Sequence, residues 1–367
     1  WMEIFGWERP QYFGIPEDHS FRRSNAFEIV GQECKNVREN VGIADLTAFT
    51  KIEVSGRDAS NLLDRLSANK LPSSTGGIRL THMLTPLGGI ECEMTITKLN
   101  PERFYLNSSI MGELHDLDWL NQHVEEEEEV LIRDVTDELA ILAVSGPLAR
   151  DLLQPLTSAD LSNESFPWLT GQEIEIAGVP CRALRVSYVG ELGWELHHPI
   201  EQMIDLYTSL IDSGAAYDLG HYGSYAMNSM RIEKAYKAWG SELTTEITPV
   251  EARLERFVDL SRDFIGSDAV TKKQSEKLDM VLVYCEVETN DTDCRGNEPV
   301  FVGDNLIGLT TSGTWSHTVN KSVAFAYVSP ELESPGCVFE IEIMNERCRA
   351  TVLEVPSVDP FNEKIRR

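Results

Sequence analysis

The chain has 367 residues, 42% hydrophobic, 25% charged and 8% aromatic, a globular composition that excludes a disordered or fibrous class. Lys and Arg total 32 against 60 Asp and Glu, a net charge of −28. A surface that negative repels phosphate backbones and anionic lipid, which sets nucleic-acid and membrane-surface binding aside. At roughly 100 to 200 residues per domain the length accommodates two or three domains. Apolar runs such as 139–144 fall far short of the ~20 residues of a bilayer span, and no leader opens the sequence, so a cytoplasmic protein is expected. The seven cysteines are dispersed and lack a Cys-x-x-Cys pair, so reduced thiols are expected, with no zinc or other metal site.

Residues 1–30 form an N-terminal extension. The run 51–54 then predicts a strand that meets a Ser-Gly turn and a helix, in the frame Val54-Ser55-Gly56-x-x-Ala59-x-x-Leu62-Leu63. The same V-S-G-x-x-A-x-x-L-L frame recurs at Val144–Leu153, after the strand 140–144. Strand-like runs follow the first helix at 78–84, 91–98 and 103–107, and the second at 173–176, 181–188 and 194–198. A strand–helix–strands pattern that occurs twice predicts an α+β fold with a duplicated βαββ core.

The carboxylate run 125–129 reads as a solvated turn. Apolar spacing predicts helices over 200–216 and 224–238. The polar, lysine-rich stretch 271–277 marks a domain boundary, so 31–275 is one domain and 276–367 another. Beyond the boundary, short alternating runs at 280–288, 298–302, 306–311, 322–328, 338–343 and 348–355 predict a small antiparallel β-barrel or sandwich.

No dinucleotide, P-loop, zincin or hydrolase-elbow motif is present. Three longer segments carry more information. The first is Thr81-His82-Met83-Leu84-Thr85-Pro86-Leu87-Gly88-Gly89-Ile90-Glu91-Cys92-Glu93-Met94-Thr95, and the second is Ser187-Tyr188-Val189-Gly190-Glu191-Leu192-Gly193-Trp194-Glu195-Leu196. The third runs from Met230-Arg231-Ile232-Glu233-Lys234 through Trp239-Gly240 to Pro249-Val250-Glu251. Over almost the whole chain these resemble the folate-binding aminomethyltransferase (glycine cleavage T-protein) family. The likeness is nearest to the C-terminal, tetrahydrofolate-binding half of dimethylglycine and sarcosine dehydrogenases, which carry segments like Gly6-Trp7-Glu8-Arg9-Pro10 and Ser20-Phe21-Arg22-Arg23. The fold implied is a three-lobed ring with a central channel, closed by a C-terminal antiparallel β-barrel.

The Gly88-Gly89 pair suits a tight turn and a close backbone approach to a flat ligand. Glu93 matches a family aspartate that stabilises the reacting iminium, so it is the expected catalytic group, one methylene longer than usual. Glu195 matches the family's pterin-binding glutamate, whose carboxylate can accept two adjacent ring N–H donors; the alternative is a rim charge beside Trp194. The resemblance also assigns Arg231, Tyr188, Tyr105, Asn107 and Met83 to the ligand; for Arg231 with Glu233 the alternative is a surface ion pair. Trp315 falls in a barrel loop, where it is either a stacking wall or core. His82, His115, His197 and His198 read as core or rim histidines. Arg253 stands where relatives usually carry glycine and is expected to bring a cation near the channel; with Arg231 and Lys234 it is expected to make the channel mouth basic.

The activity implied is capture of a methylene or formaldehyde unit from an N-methylated amine, such as dimethylglycine or sarcosine, to form methylenetetrahydrofolate. Tetrahydrofolate is the expected cofactor. FAD is not expected within this chain, so the amine would be oxidised on a further domain or by a flavin-dependent partner. Direct methyl transfer from a nitrogen or sulfur donor, a non-catalytic folate-binding module and a lipoyl-dependent T-protein are the alternatives.

Overall fold

A computed structural model describes all 367 residues. A short hairpin, β1 (Met2–Ile4) and β2 (Trp7–Arg9), leads into α1 (Ala26–Glu39) and β3 (Gly42–Asp45). The first unit comprises β4 (Thr50–Ser55), α2 (Ala59–Leu66), β5 (Ile78–Leu84), β6 (Ile90–Asn100), β7 (Arg103–Ser108) and α3 (Glu113–Gln122), after which β8 (Leu131–Asp134) leads into the second unit as β3 leads into the first. Alternation along β6 explains its placement: Ile90, Cys92, Met94 and Ile96 are buried, and Cys92, Met94 and Ile96 join a core with Leu62, Leu63 and Leu66 of α2. The intervening Glu91, Glu93, Thr95 and Thr97 therefore take the opposite face.

The second unit repeats the plan with β9 (Leu139–Ser145), the short α4 (Ala149–Leu153), β10 (Gly171–Ile176), β11 (Val179–Leu184) and β12 (Gly193–Pro199). It continues through α5 (Met203–Gly214), β13 (Gly220–His221) and α6 (Ser224–Glu233). The sheets run β5-β6-β7-β4-β8 and β10-β11-β12-β9-β3-β13. In both, the strand before the helix pairs with the third strand after it, so the repeated sequence frame corresponds to a repeated topology. Each unit also lends a strand to the other: β3 precedes β4 but pairs with β9, and β8 precedes β9 but pairs with β4. The exchange ties the two sheets into one body.

After α7 (Ser267–Ser275) come β14 (Val281–Val287), β15 (Pro299–Val302), β16 (Asn305–Ser316), β17 (Lys321–Val328), β18 (Val338–Ile343) and β19 (Glu346–Val352). They close a barrel in the order β14-β17-β16-β15-β18-β19. Val283, Cys285, Ala324 and Ile341 fill its inside, whereas Leu282, Tyr284, Phe325 and Tyr327 on the outside pack against Leu243, Ile247, Phe264 and Val270. That apolar contact docks the barrel onto the rest of the chain. No helix is long and apolar enough to cross a membrane.

Several expected bounds shift for physical reasons. The helix expected over 224–238 stops at Glu233: Ala235 takes a left-handed φ of 52°, and Tyr236 N–H bonds back to Arg231 O, a capping pattern that closes the helix although apolar spacing continues. The strand expected over 181–188 ends at Leu184, after which Arg185 turns inward to donate to the carbonyls of Phe166 and Arg367. The stretch 271–277 is largely the end of α7, anchored by buried Val270. Trp315 lies in β16, not in a loop.

Candidate functional site

Glu93 on β6 faces His82 on β5 in direct register, with His82 Nε2 3.2 Å from Glu93 Oε1. His82 is fully buried and its Nδ1 has no partner, so Nε2 is the nitrogen turned to the carboxylate. The hairpin joining these strands is held by the chain itself. Gly88 has φ +86°, and a Cβ on Gly89 would meet Thr245 O at 1.8 Å, while Ile90 N–H bonds to Thr244 O and Ile247 O. The Gly-Gly pair therefore admits the segment 244–247 rather than a flat ligand.

Across from this sheet, Glu195 and His197 share one face of β12, two residues apart. His197 Nδ1 lies 2.8 Å from the Tyr105 hydroxyl on β7, and its Nε2 lies 3.4 Å from Glu195 Oε2. Burial holds the His197 imidazole below its ordinary range, so the neutral ring accepts from Tyr105 and turns Nε2–H to Glu195. Tyr105 is fully buried, with the Arg182 guanidinium 4.3 Å from its ring centre. Glu195 borders a niche of about 10 Å³, room for one water, with Tyr188, Ser187, Tyr222 and Met227. Ser187 Oγ is buried there without a partner.

Tyr188 lies in the segment between β11 and β12, stacks on Tyr236 and donates its hydroxyl to Lys237 O. Burial raises its pKa, and the charges acting on it are those of Arg231, Glu93 and Glu242. Residues from the first sheet, the second sheet, α6 and the following segment thus converge. Arg231 and Glu233 do not form a surface pair: both are buried, Glu233 pairs with Arg38 at 2.6 Å, and Arg231 pairs with Glu242 at 2.9 Å. Arg231 also donates to Asn228 Oδ1 and Tyr236 O, so its planar fork is held in one orientation. Glu242 is fully buried and also accepts from Thr311, Ser312 and the Ala238 N–H, which ties Arg231 to the barrel. Lys237 feels Glu242 and Glu93, yet burial, aided by Arg256, brings its ammonium down to about 8.

Glu93, Tyr188, Arg231 and Glu195 with Tyr105 therefore lie along the seam between the units. Three other expected residues lie elsewhere or are already engaged. Met83 pairs with Cys92 and is buried with it in the α2 core, on the face away from Glu93. Asn107 Nδ2 is committed to Thr50 O. Trp315 lies under the Arg23 guanidinium, 3.9 Å from the ring centre. The expected basic mouth is neutralised at all three positions. Arg231 meets Glu242, Lys234 meets Asp359 at 3.1 Å, and Arg253 meets Glu333 and Glu255 on the surface. Arg253 takes φ 55°, a left-handed backbone that suits glycine.

His82 and His197 are buried, in keeping with the core or rim histidines that the sequence suggested, but each also contacts a site carboxylate; Glu242 and Lys237 carried no expected role. Period two along β12 couples Glu195 to His197, a usable signal; the Arg231–Glu242 pair spans a helix end and a loop and had none. Cys92, His115 and Asp116 bring ligand-type atoms within 4.8 Å, but Asp116 accepts from Ser108 at 2.5 Å, and burial holds the Cys92 thiol well above its ordinary range.

Residues 1–262 match the family model described as the GCVT N-terminal domain, and residues 281–359 match the glycine cleavage T-protein C-terminal barrel domain. The chain is 42% identical over 361 residues to mouse mitochondrial dimethylglycine dehydrogenase, covering 96% of this chain and 41% of that protein. The chain thus spans about two-fifths of that relative's length. An aminomethyltransferase of Thermoanaerobacter sp. (strain X514) is 32% identical over 329 residues, 89% of each chain. The crystal structure of glycine cleavage system aminomethyltransferase T from Bartonella henselae superposes with a TM-score of 0.82, at 22% identity over 94% of each chain, and shares the fold.

Proposed function

The chain belongs to the glycine cleavage T-protein family, and from that premise we propose that it binds tetrahydrofolate at the seam between its two sheets and loads it with a one-carbon unit. The observation that carries the proposal is the convergence of Glu93, Tyr188, Arg231 and Glu242, beside a Glu195 carboxylate whose hydrogen-bonding capacity is largely free. The residues present fit a pterin edge. Glu195 has only the 3.4 Å contact to His197, leaving acceptor positions for a ring N–H and an amino group, and the unpartnered Ser187 Oγ borders the same niche. The niche is small, so a ring engages it by its polar edge.

Tetrahydrofolate would supply two nucleophilic nitrogens that accept the one-carbon unit. The protein's own groups orient and stabilise. Arg231, fixed by Glu242 and Asn228, holds one orientation of whatever it touches. Glu93 places a carboxylate against the positive charge of an oxidised N-methyl donor, and His82 holds that carboxylate in place. The longer side chain at Glu93 is thereby positioned, which favours turnover over a binding-only module. The donor class is an N-methylated amine of the dimethylglycine or sarcosine type, oxidised by a flavin-dependent domain or partner outside these residues.

Calorimetry tests the reading. The unmodified chain binds tetrahydrofolate with Kd of roughly micromolar order, and Glu195→Ala abolishes the heat of binding. A flat titration with the unmodified chain overturns the proposal.

A further inference from the structure

Three consecutive residues after α6 are gripped by groups that converge at the seam. Arg231 donates to Tyr236 O at 3.0 Å, the Tyr188 hydroxyl donates to Lys237 O at 3.2 Å, and the Ala238 N–H donates to Glu242 at 2.9 Å. The backbone of Lys237 is thus fixed among Arg231, Tyr188 and Glu242, and its side chain starts from a rigid base. The amine at its end is uncommitted. Two other lysines in buried surroundings are fully engaged: Lys51 donates to Thr47 O at 2.6 Å and Phe49 O at 2.8 Å, and Lys234 pairs with Asp359. Lys237 is half-buried, its Nζ makes no hydrogen bond and has no carboxylate within 4.0 Å, and Glu242 and Glu93 act on it through space. Because burial brings the ammonium down to about 8, a sizeable share of this amine carries a free lone pair near neutral pH. An amine of that kind, on a fixed backbone and beside carboxylates that favour a cation, has the properties of a Schiff-base lysine.

We propose that Lys237 captures formaldehyde covalently as an N-methylene adduct and holds the one-carbon unit at the seam until it passes to tetrahydrofolate. Formaldehyde is what an oxidised N-methyl donor releases when its iminium takes up water. The Nζ lone pair adds to the formaldehyde carbon, the C=O π pair moves to oxygen, and one N–H proton transfers to that oxygen to give a carbinolamine. Protonation of the hydroxyl and departure of water leave a methylene iminium at Nζ. No oxidant or reductant is consumed. The new cation is stabilised by Glu93 and Glu242, the carboxylates that already act on the ammonium. The inference rests on the one-carbon reading of the seam and adds to it a covalent step on a side chain of this protein.

Reductive trapping tests the step without folate. The unmodified chain is treated near neutral pH with limiting formaldehyde and cyanoborohydride, which reduces a methylene iminium to an N-methyl group, and peptide mass mapping locates the modified lysines. Lys237 is expected to be methylated about tenfold faster than the exposed Lys35 and Lys272. Lys51, also brought down to about 8 but fully buried and hydrogen-bonded, is expected to stay unmodified, which separates placement from acidity. Lys237→Arg removes the fast reaction and leaves the labelling of Lys35 and Lys272. Tetrahydrofolate added before the reductant is expected to lower the ratio of Lys237 to Lys35 labelling about fivefold; the ratio is the readout because folate also consumes free formaldehyde, which lowers both alike. Lys237 labelled no faster than Lys35 and Lys272 overturns the covalent step while folate binding stands. Fast labelling at a ratio unchanged by folate that calorimetry shows to be bound overturns it as well. Absence of folate binding in the same calorimetry sinks the folate reading, and the handover with it.

Discussion

Tyr105 and His197, from different sheets and 2.8 Å apart, meet at the seam, and their contact decides which imidazole nitrogen faces Glu195. The phenol donates to Nδ1, so Nε2 carries the proton toward the carboxylate. Tyr105→Phe leaves the ring packing in place but strands a fully buried Nδ1. The expected loss is about 1–3 kcal/mol of unfolding free energy in urea titrations. Tetrahydrofolate affinity is expected to fall by several-fold, because the ring is then free to turn its proton away from Glu195. Unchanged stability and affinity would show that the contact does not set the tautomer.

His82 acts on Glu93 from the neighbouring strand, and the two substitutions should separate binding from turnover. Glu93→Gln keeps the shape and removes the charge, so kcat for one-carbon transfer falls on the order of 100-fold while tetrahydrofolate binding persists. His82→Asn, at a fully buried position, lets the carboxylate wander and lowers kcat by roughly tenfold with little change in KM. A KM effect without a kcat effect at either position removes Glu93 from the chemistry.

Arg38 is the clearest stability test. Its guanidinium meets Glu233 at 2.6 Å and Glu191 at 3.0 Å, and Glu233 also accepts from Ser316 and Thr318, so one cation joins α1, α6, the barrel and the segment before β12. Arg38→Met leaves two buried carboxylates without that partner, although Lys364 still reaches Glu191 at 2.8 Å. A loss of about 3–5 kcal/mol is expected, read as a lower urea midpoint with barrel and core signals shifting together. A change below about 1 kcal/mol would mean that Lys364 and the hydroxyls suffice.

How far the sequence reaches depends on where the determining contact lies. The V-S-G frames at 54–63 and 144–153 mark equivalent strand–helix joints because the contacts that form them are local. The strand exchange of β3 and β8 left no local trace, since each pairs with a strand of the other unit. Apolar spacing overran α6 because Ala235, Tyr236 and Ala238 continue the helical period while one left-handed residue ends the helix. Glu195 and Glu93 were legible through motif position and strand alternation. Of their partners, His197 shares the period-two face of β12 with Glu195, whereas His82 meets Glu93 only through a register across strands, and Tyr105 lies 92 residues from His197. The cations differ most from expectation. Arg231, Lys234 and Arg253 look like free cations until Glu242, Asp359 and Glu333, which lie 11, 125 and 80 residues away, are in place.

Lys237 gives a pH dependence with a definite sign. Burial brings its ammonium down to about 8, whereas an unfolded chain titrates a lysine near 10.4. Between about pH 8 and pH 10 the unfolded chain therefore holds a proton that the folded chain has released. The contribution of this group to stability is lowest below pH 8 and rises as the pH climbs through that window. Lys51, which burial also brings down to about 8, adds a rise of the same sign, so the wild-type curve alone does not isolate Lys237. The difference between wild type and Lys237→Met does, because Lys51 is common to both. Urea unfolding at pH 7.5 and pH 10 should show wild type gaining on the variant by about 1–3 kcal/mol, with the variant equal or more stable at the lower pH. A difference that is flat with pH would mean that the folded lysine keeps its proton through pairing with Glu93 or Glu242, and that the charge beside the proposed one-carbon site is positive throughout.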